Sequence, residues 1–202
     1  MKLYFTPGAC SMAPHIGLRE AGLKFDLEQV DLGTKKTKSG DDYAKINPKG
    51  YVPALQLDSG EVLTEAPVIL QYIGDQKPDS GLVPKAGTME RYRTQEWLNF
   101  VTSEMHKGMG ALFNPALPEN ARPAIIDKVS LRLDFLAKQL NGKPYLTGDK
   151  FAAPDAYLFT ILSWAPHLKM SLDKWPTLKA YVERVGARPQ VQAALKAEGL
   201  IK

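Results

Sequence analysis

The 202-residue chain is predicted to fold as an α/β domain followed by an all-α domain. Three observations predict this. Through residue 80, short apolar strand patterns alternate with helical ones. Residues 77–87 then gather Pro78, Gly81, Pro84 and Gly87, a density of breakers that suits a linker. Beyond them the strand signal vanishes, and apolar residues recur at helical spacing to the end of the chain. The expected boundaries are therefore 1–80 for the first domain, 81–87 for the linker and 88–202 for the helical domain.

Taken in order, Lys2–Phe5 is a short apolar strand, and Pro7-Gly8 is a turn. Ser11–Ala21 reads as a helix ended by Gly22. Phe25–Val30 alternates apolar and polar residues as a half-buried strand does. Gly33–Gly40 reads as a basic, polar loop. Val52–Leu57 and Glu61–Leu63 are two short strands joined by Asp58-Ser59-Gly60, a hairpin signal. Pro67–Gln76 is helical, with its proline tolerated in the first turn. The order βαβ-α-ββα is that of a thioredoxin-like domain. In the second half, Thr88–Met109 is a long helix with apolar positions at Leu98, Val101 and Met105, continued by Leu112. Ala121–Leu140 is a second helix, stopped by Asn141-Gly142, and Pro154–Leu168 a third. Thr177–Val185 and Gln190–Leu195 are shorter and separated by Gly186 and Pro189.

Composition narrows the function. At 44% hydrophobic and 24% charged residues the chain is an ordinary globular protein able to bury a substantial core. A single cysteine excludes an internal disulfide framework and a thiolate-rich zinc site, and no metal is expected. The opening MKLYFTPGAC lacks the apolar core of a signal peptide, and no run approaches membrane-spanning length; the expectation is a cytoplasmic protein without a membrane partner. Residues 1–80 carry 9 Lys/Arg against 11 Asp/Glu, and residues 81–202 carry 17 against 11. The basic half favours anionic small molecules. Its charges are dispersed, without the basic blocks and interleaved aromatics of nucleic-acid binding.

The chemistry centres on Cys10. It lies where a strand and a turn hand over to a helix, and a helix start offers unpaired N–H groups and a positive dipole end that stabilise a thiolate. The competing reading is a small buried hydrophobe. No second cysteine is present to resolve a mixed disulfide, so an external thiol would have to do so. Val52-Pro53 precedes the hairpin and is expected to leave the Val52 backbone free to pair with a short peptide. Glu65-Ala66 opens a helix, where free N–H groups suit a carboxylate and Glu65 suits an ammonium; helix capping by Glu65 is compatible with both. Glu96, Asn99, Ser103 and His106 follow a 3–4 spacing and share one helix face. His106 reads either as a functional histidine titrating near neutrality or as a helix-end partner of the dipole. His15 reads as structural. Met109, Phe113, Trp164 and His167 are candidates for an apolar acceptor pocket, or for plain core.

Over its full length the chain resembles the cytosolic glutathione transferases. The resemblance rests on Asn47-Pro48-x-Gly50-x-Val52-Pro53, on Leu63-Thr64-Glu65 before a helix, on Gly148-Asp149-Lys150-Phe151-x-x-x-Asp155, and on the tail Trp175-Pro176-x-Leu178…Ala187-Arg188-Pro189-x-Val191. Cys10 with His106-Lys107, and the ending Glu198-Gly199-Leu200-Ile201, resemble the bacterial beta class. The family usually has Ser where Ala66 stands, and Ser or Thr where Ala152 stands, three residues before Asp155; the latter change removes a hydroxyl N-cap worth roughly 1 kcal/mol.

This resemblance implies a homodimeric enzyme with glutathione as co-substrate. Lys35, Val52, Glu65, Ala66 and Lys107 would bind it. Asn99, Ser103 and Glu104 would approach glutathione held by the partner subunit. Cys10 and His106 would lie at its sulfur, and an apolar electrophile would enter between the domains. The reaction is either conjugation of the electrophile to glutathione or thiol–disulfide exchange through Cys10. The rival reading is a non-catalytic carrier of apolar ligands or a regulatory protein.

Overall fold

The computed structural model describes all 202 residues. Its sheet is built around β1 (Lys2–Phe5), whose Leu3, Tyr4 and Phe5 are buried. β1 runs parallel to β2 (Asp26–Asp31) and antiparallel to β4 (Ala54–Gln56). With β3 (Lys36–Thr37) beyond β2 and β5 (Val62–Thr64) beyond β4, the order is β3-β2-β1-β4-β5. A parallel pair needs a crossover, and α1 (Met12–Glu20) supplies it. A single helical turn, α2 (Tyr43–Ile46), lies between β3 and β4. α3 (Ala66–Gln76) closes this half.

Two local differences from the sequence reading have simple causes. The basic segment 33–40 contains β3, whose two residues pair with Val30 and Asp31. A two-residue strand is too short to show alternation, so its pairing is set by the neighbouring strand. The hairpin strands begin later than expected: Val52 and Pro53 stay outside β4, joined by a cis peptide bond.

In the helical half, α4 (Met89–Phe100) runs through a π-helical turn (Val101–His106) into α5 (Lys107–Ala111). The unbroken α-helix expected over Thr88–Met109 is thus corrected at the segment that carries His106. α6 (Arg122–Gln139) follows, then α7 (Ala153–Leu162), α8 (Pro176–Gly186) and α9 (Pro189–Ala197). α7 stops well short of Leu168. Pro166 has no N–H for the Leu162 carbonyl, and its ring crowds that carbonyl. All ten residues of α7 are buried. Its first turn is held by Asp155, which accepts the N–H of Ala152 at 2.9 Å, that of Leu146 at 2.9 Å and the Tyr181 hydroxyl at 2.9 Å. Asp155 thus performs its half of the capping box although Ala152 brings no hydroxyl.

The two halves meet in one core of 40 buried residues. α1 is buried from Met12 to Leu18 because α3 packs on one side of it and α7 and α9 on the other. Gly17 lets α1 and α3 pack closely, since a Cβ there would lie 2.8 Å from Leu70 Cδ2 and push that side chain aside. Leu82 and Val83 of the 81–87 segment are buried too. Ion pairs stitch the junction: Arg91 grips Asp75 at 2.7 and 2.8 Å, and Arg188 grips Glu20 at 2.7 and 2.8 Å. No helix is long and apolar enough to cross a membrane.

Candidate active site

Cys10 lies in the turn between β1 and α1, two residues before the helix begins at Met12. The expected stabilisation of a thiolate is present, through the N–H groups of Cys10 and Ser11. Burial outweighs it and pushes the thiol up to about 11. The partly ionised cysteine anticipated from sequence is therefore replaced, in the unliganded protein, by a neutral thiol that donates to the Val52 carbonyl at 3.2 Å. The helix terminus is legible in the sequence, whereas the packing that buries the thiol is set by the tertiary structure.

Beside Cys10 is a cavity of about 180 Å³ between the two halves. One wall is Val52, with the start of α3 at Glu65 and Ala66. The N–H groups of Val52 and Ala66 have no partner within the chain. Pro67 contributes no N–H, and Val68 N–H is already bonded to the Glu65 carbonyl at 3.0 Å, so Ala66 supplies the free donor at this helix end. Glu65 adopts φ +70°, a left-handed backbone that costs a non-glycine residue energy and concentrates at functional sites. Its carboxylate does not cap α3. Instead Oε1 accepts from Lys49 Nζ at 2.7 Å and from the Tyr51 hydroxyl at 2.7 Å, bonds that hold its pKa below the ordinary carboxylate value.

The opposite wall comes from the π-helical turn, the start of α5 and α7: Thr102, His106, Lys107 and Tyr157. A π turn closes i→i+5 hydrogen bonds, so residues after it are displaced from the face that 3.6-residue spacing assigns. The expected common face accordingly divides. His106 turns into the cavity, whereas Asn99 and Ser103 point to solvent, with the Ser103 hydroxyl on the Asn99 carbonyl at 3.0 Å. Burial, reinforced by the Lys107 charge, pushes His106 down to about 4. The titration near neutrality that the sequence suggested is overturned: the imidazole is neutral throughout the physiological range. Its Nδ1 lies 2.6 Å from the Tyr157 hydroxyl, and Trp164 packs edge-on against its ring at 5.1 Å.

A second, larger cavity of about 550 Å³ shares Cys10, Tyr51, Val52 and His106 with the first. Its volume is that of a small-molecule site. Phe113, Trp164 and His167 line it as expected, together with Leu32 and Leu200. Met109 does not; it is fully buried in the core. Trp164 holds the Cys10 loop by donating Nε1–H to the Gly8 carbonyl at 2.8 Å. His15 is buried and bonded to Glu198 at 2.8 Å, the structural role anticipated for it.

Four of the candidates for glutathione binding line neither cavity. Lys35 donates to the Gly50 carbonyl at 2.8 Å, behind the turn that carries Tyr51. Asn99 and Ser103 lie on the exposed side of the helix, and Glu104 pairs with Arg132 at 2.6 Å. Conversely, Lys49, Tyr51, Thr102 and Tyr157 belong to the site and were missed. Lys49 and Tyr51 lie inside the quoted Asn47–Pro53 motif, which was a signal. Tyr157 lies in the run APDAYLFTIL, which reads only as core.

A thioredoxin-like domain joined to a helical domain, with a small polar slot and a wide apolar pocket meeting at one cysteine, defines a two-domain class of thiol-handling enzymes. Residues 8–76 match the family "Glutathione S-transferase, N-terminal domain" and residues 100–189 match "Glutathione S-transferase, C-terminal domain". The chain is 45% identical to Glutathione S-transferase GstA of Escherichia coli O157:H7, covering 99% of this chain and 100% of that one. Among solved structures, a sphingomonad glutathione S-transferase complexed with glutathione superposes with TM-score 0.96 at 47% identity, covering 100% of both chains. A bacterial beta class glutathione S-transferase of Sphingomonas chungbukensis does so with TM-score 0.96 at 50% identity, also covering 100% of both. The chain belongs to the glutathione S-transferase family and is an enzyme of that kind.

Proposed function

We propose that the enzyme conjugates glutathione to apolar electrophiles, with glutathione in the small slot and the electrophile in the adjoining pocket. The observation that carries this is the meeting of the two cavities at Cys10 and His106. The cysteinyl backbone of glutathione pairs with Val52 as a short added strand, its γ-glutamyl carboxylate takes the Ala66 N–H, and its ammonium takes Glu65. Lys107 adds a positive charge beside the sulfur. The neutral Cys10 thiol favours conjugation, in which glutathione's own sulfur is the nucleophile, over exchange through Cys10. The solved glutathione complex of the similar sphingomonad enzyme supports the choice of thiol.

The proposal extends to a cytoplasmic homodimer, with no role for a metal, a membrane or nucleic acid. Val68, Tyr92, Leu131 and Phe135 are large apolar residues left exposed on α3, α4 and α6, the kind of surface that a second copy covers. Asn99, Ser103 and Glu104 on the same helix system would then complete the partner's glutathione site, and Lys35 would meet the glycyl carboxylate. The test is turnover of a model aryl halide with glutathione, alongside retention on immobilised glutathione. Retention without turnover would favour the carrier reading.

A further inference from the structure

The mechanism needs His106 to present something useful to a sulfur, and an imidazole at neutral pH has two forms. One carries its proton on Nδ1, the other on Nε2. Only the second gives the cavity a hydrogen-bond donor, because Nδ1 is turned to Tyr157 and Nε2 has no partner in the chain. Nε2 is accessible, and His106 lines both cavities.

We infer that Tyr157 is the positioning residue that fixes this choice: its hydroxyl donates to His106 Nδ1 and thereby holds His106 as the Nε2–H form, a neutral donor aimed at the glutathione sulfur. The inference rests on the placement of glutathione in the small slot, beside His106, given under the proposed function. Three observations support it. The Tyr157 side chain is 1% exposed, so its hydroxyl proton needs an acceptor within the protein. Its hydroxyl lies 2.6 Å from His106 Nδ1, a short hydrogen-bond distance. A phenol O–H is a stronger acid than a neutral imidazole N–H, and the imidazole nitrogen is the stronger acceptor, so the bond runs from Tyr157 to Nδ1. Burial also raises the phenol's pKa further above its ordinary 10.0, so Tyr157 keeps the proton it must donate. The ring is clamped as well: Tyr157 meets it at 81° and Trp164 at 70°, both edge-to-face, which sets the direction of Nε2. A developing thiolate in the slot is thus met by a donor that needs no protonation event, consistent with an imidazole that stays neutral.

The chain has three histidines, so a long-range proton–nitrogen correlation spectrum of histidine-labelled protein is simple to read. The His106 signals, identified by their loss in His106→Ala, are expected to show a protonated Nε2 and a bare Nδ1. Tyr157→Phe keeps the ring and removes the hydroxyl. It is expected to lower kcat for aryl conjugation roughly tenfold, the low end of the scale for partners that orient a functional imidazole. The glutathione KM should stay unchanged. In the His106→Ala background, Tyr157→Phe should have no further effect on rate. A wild-type spectrum with Nδ1 protonated overturns the inference. So does an equal loss from Tyr157→Phe with and without His106, which would make Tyr157 act directly or through packing. An unchanged rate in His106→Ala overturns it as well. Failure of the glutathione transferase reading itself is distinguishable, because it would appear as absent turnover in the wild type.

Discussion

Alkylation of Cys10 by iodoacetamide puts the burial of its thiol to a quantitative test. A thiol titrating near 11 instead of its ordinary 9.0 is about 100-fold less ionised at pH 7, and the thiolate is the reacting species. Part of this is offset, because a more basic thiolate is intrinsically more nucleophilic. With a Brønsted slope of about 0.4–0.5, two pH units of basicity return about six- to tenfold. The net expectation is a rate about ten- to twentyfold below that of a free cysteine, before any steric hindrance. The rate should also climb steadily through pH 9 without a plateau. The assay is mass-resolved alkylation of the native protein over pH 6–10, with unfolded protein as reference. A plateau below pH 8, or a rate above the reference, would show an activated thiolate and refute the dominance of burial. The same logic makes oxidised glutathione a slow modifier of Cys10 in the free enzyme.

The carboxyl of Asp155 is buried and pushed up to about 6 from 3.8. A folded-state pKa above the unfolded one means the native state binds more protons, so this group's contribution is fully present below pH 3.8 and is lost as pH rises through about 6, by about 3 kcal/mol. Asp155→Asn cannot titrate, so its stability gap from wild type, read by denaturant titration, should shrink between pH 4 and 7; a gap independent of pH would contradict the assignment. Asp155→Ala strands the Leu146 and Ala152 N–H groups and the Tyr181 hydroxyl. It should cost about 3 kcal/mol or more at neutral pH by chemical denaturation, since each orphaned buried donor costs about 1–3 kcal/mol. Phe135→Glu places a charge in the exposed apolar strip on α6. Sedimentation should show dissociation to monomer together with weaker glutathione binding, and a monomer that keeps full affinity would remove the partner subunit from the site.

The amino-acid sequence by itself determined the architecture. Alternating strand and helix signals through residue 80, the breakers at 77–87 and the unbroken helical periodicity beyond are local patterns, and each is dictated by backbone sterics and by which faces must be buried. The elements that carry Cys10, Val52 and Glu65 were legible for the same reason: turn residues, a proline before a hairpin and a helix start are short-range features. Tertiary structure decided the chemistry of the groups. The ionisation of Cys10 and His106 depends on how much water and charge surround them, which is set by residues tens of positions away, such as Val52 and Glu65 for Cys10 and Tyr157 and Trp164 for His106. The pairing of His106 with Tyr157 joins a π-helical turn to a helix that reads as featureless core. A hydrophobic periodicity cannot report a widened turn, because one altered hydrogen-bond register rotates everything after it. Sequence therefore named Cys10 and His106, and packing set their ionisation.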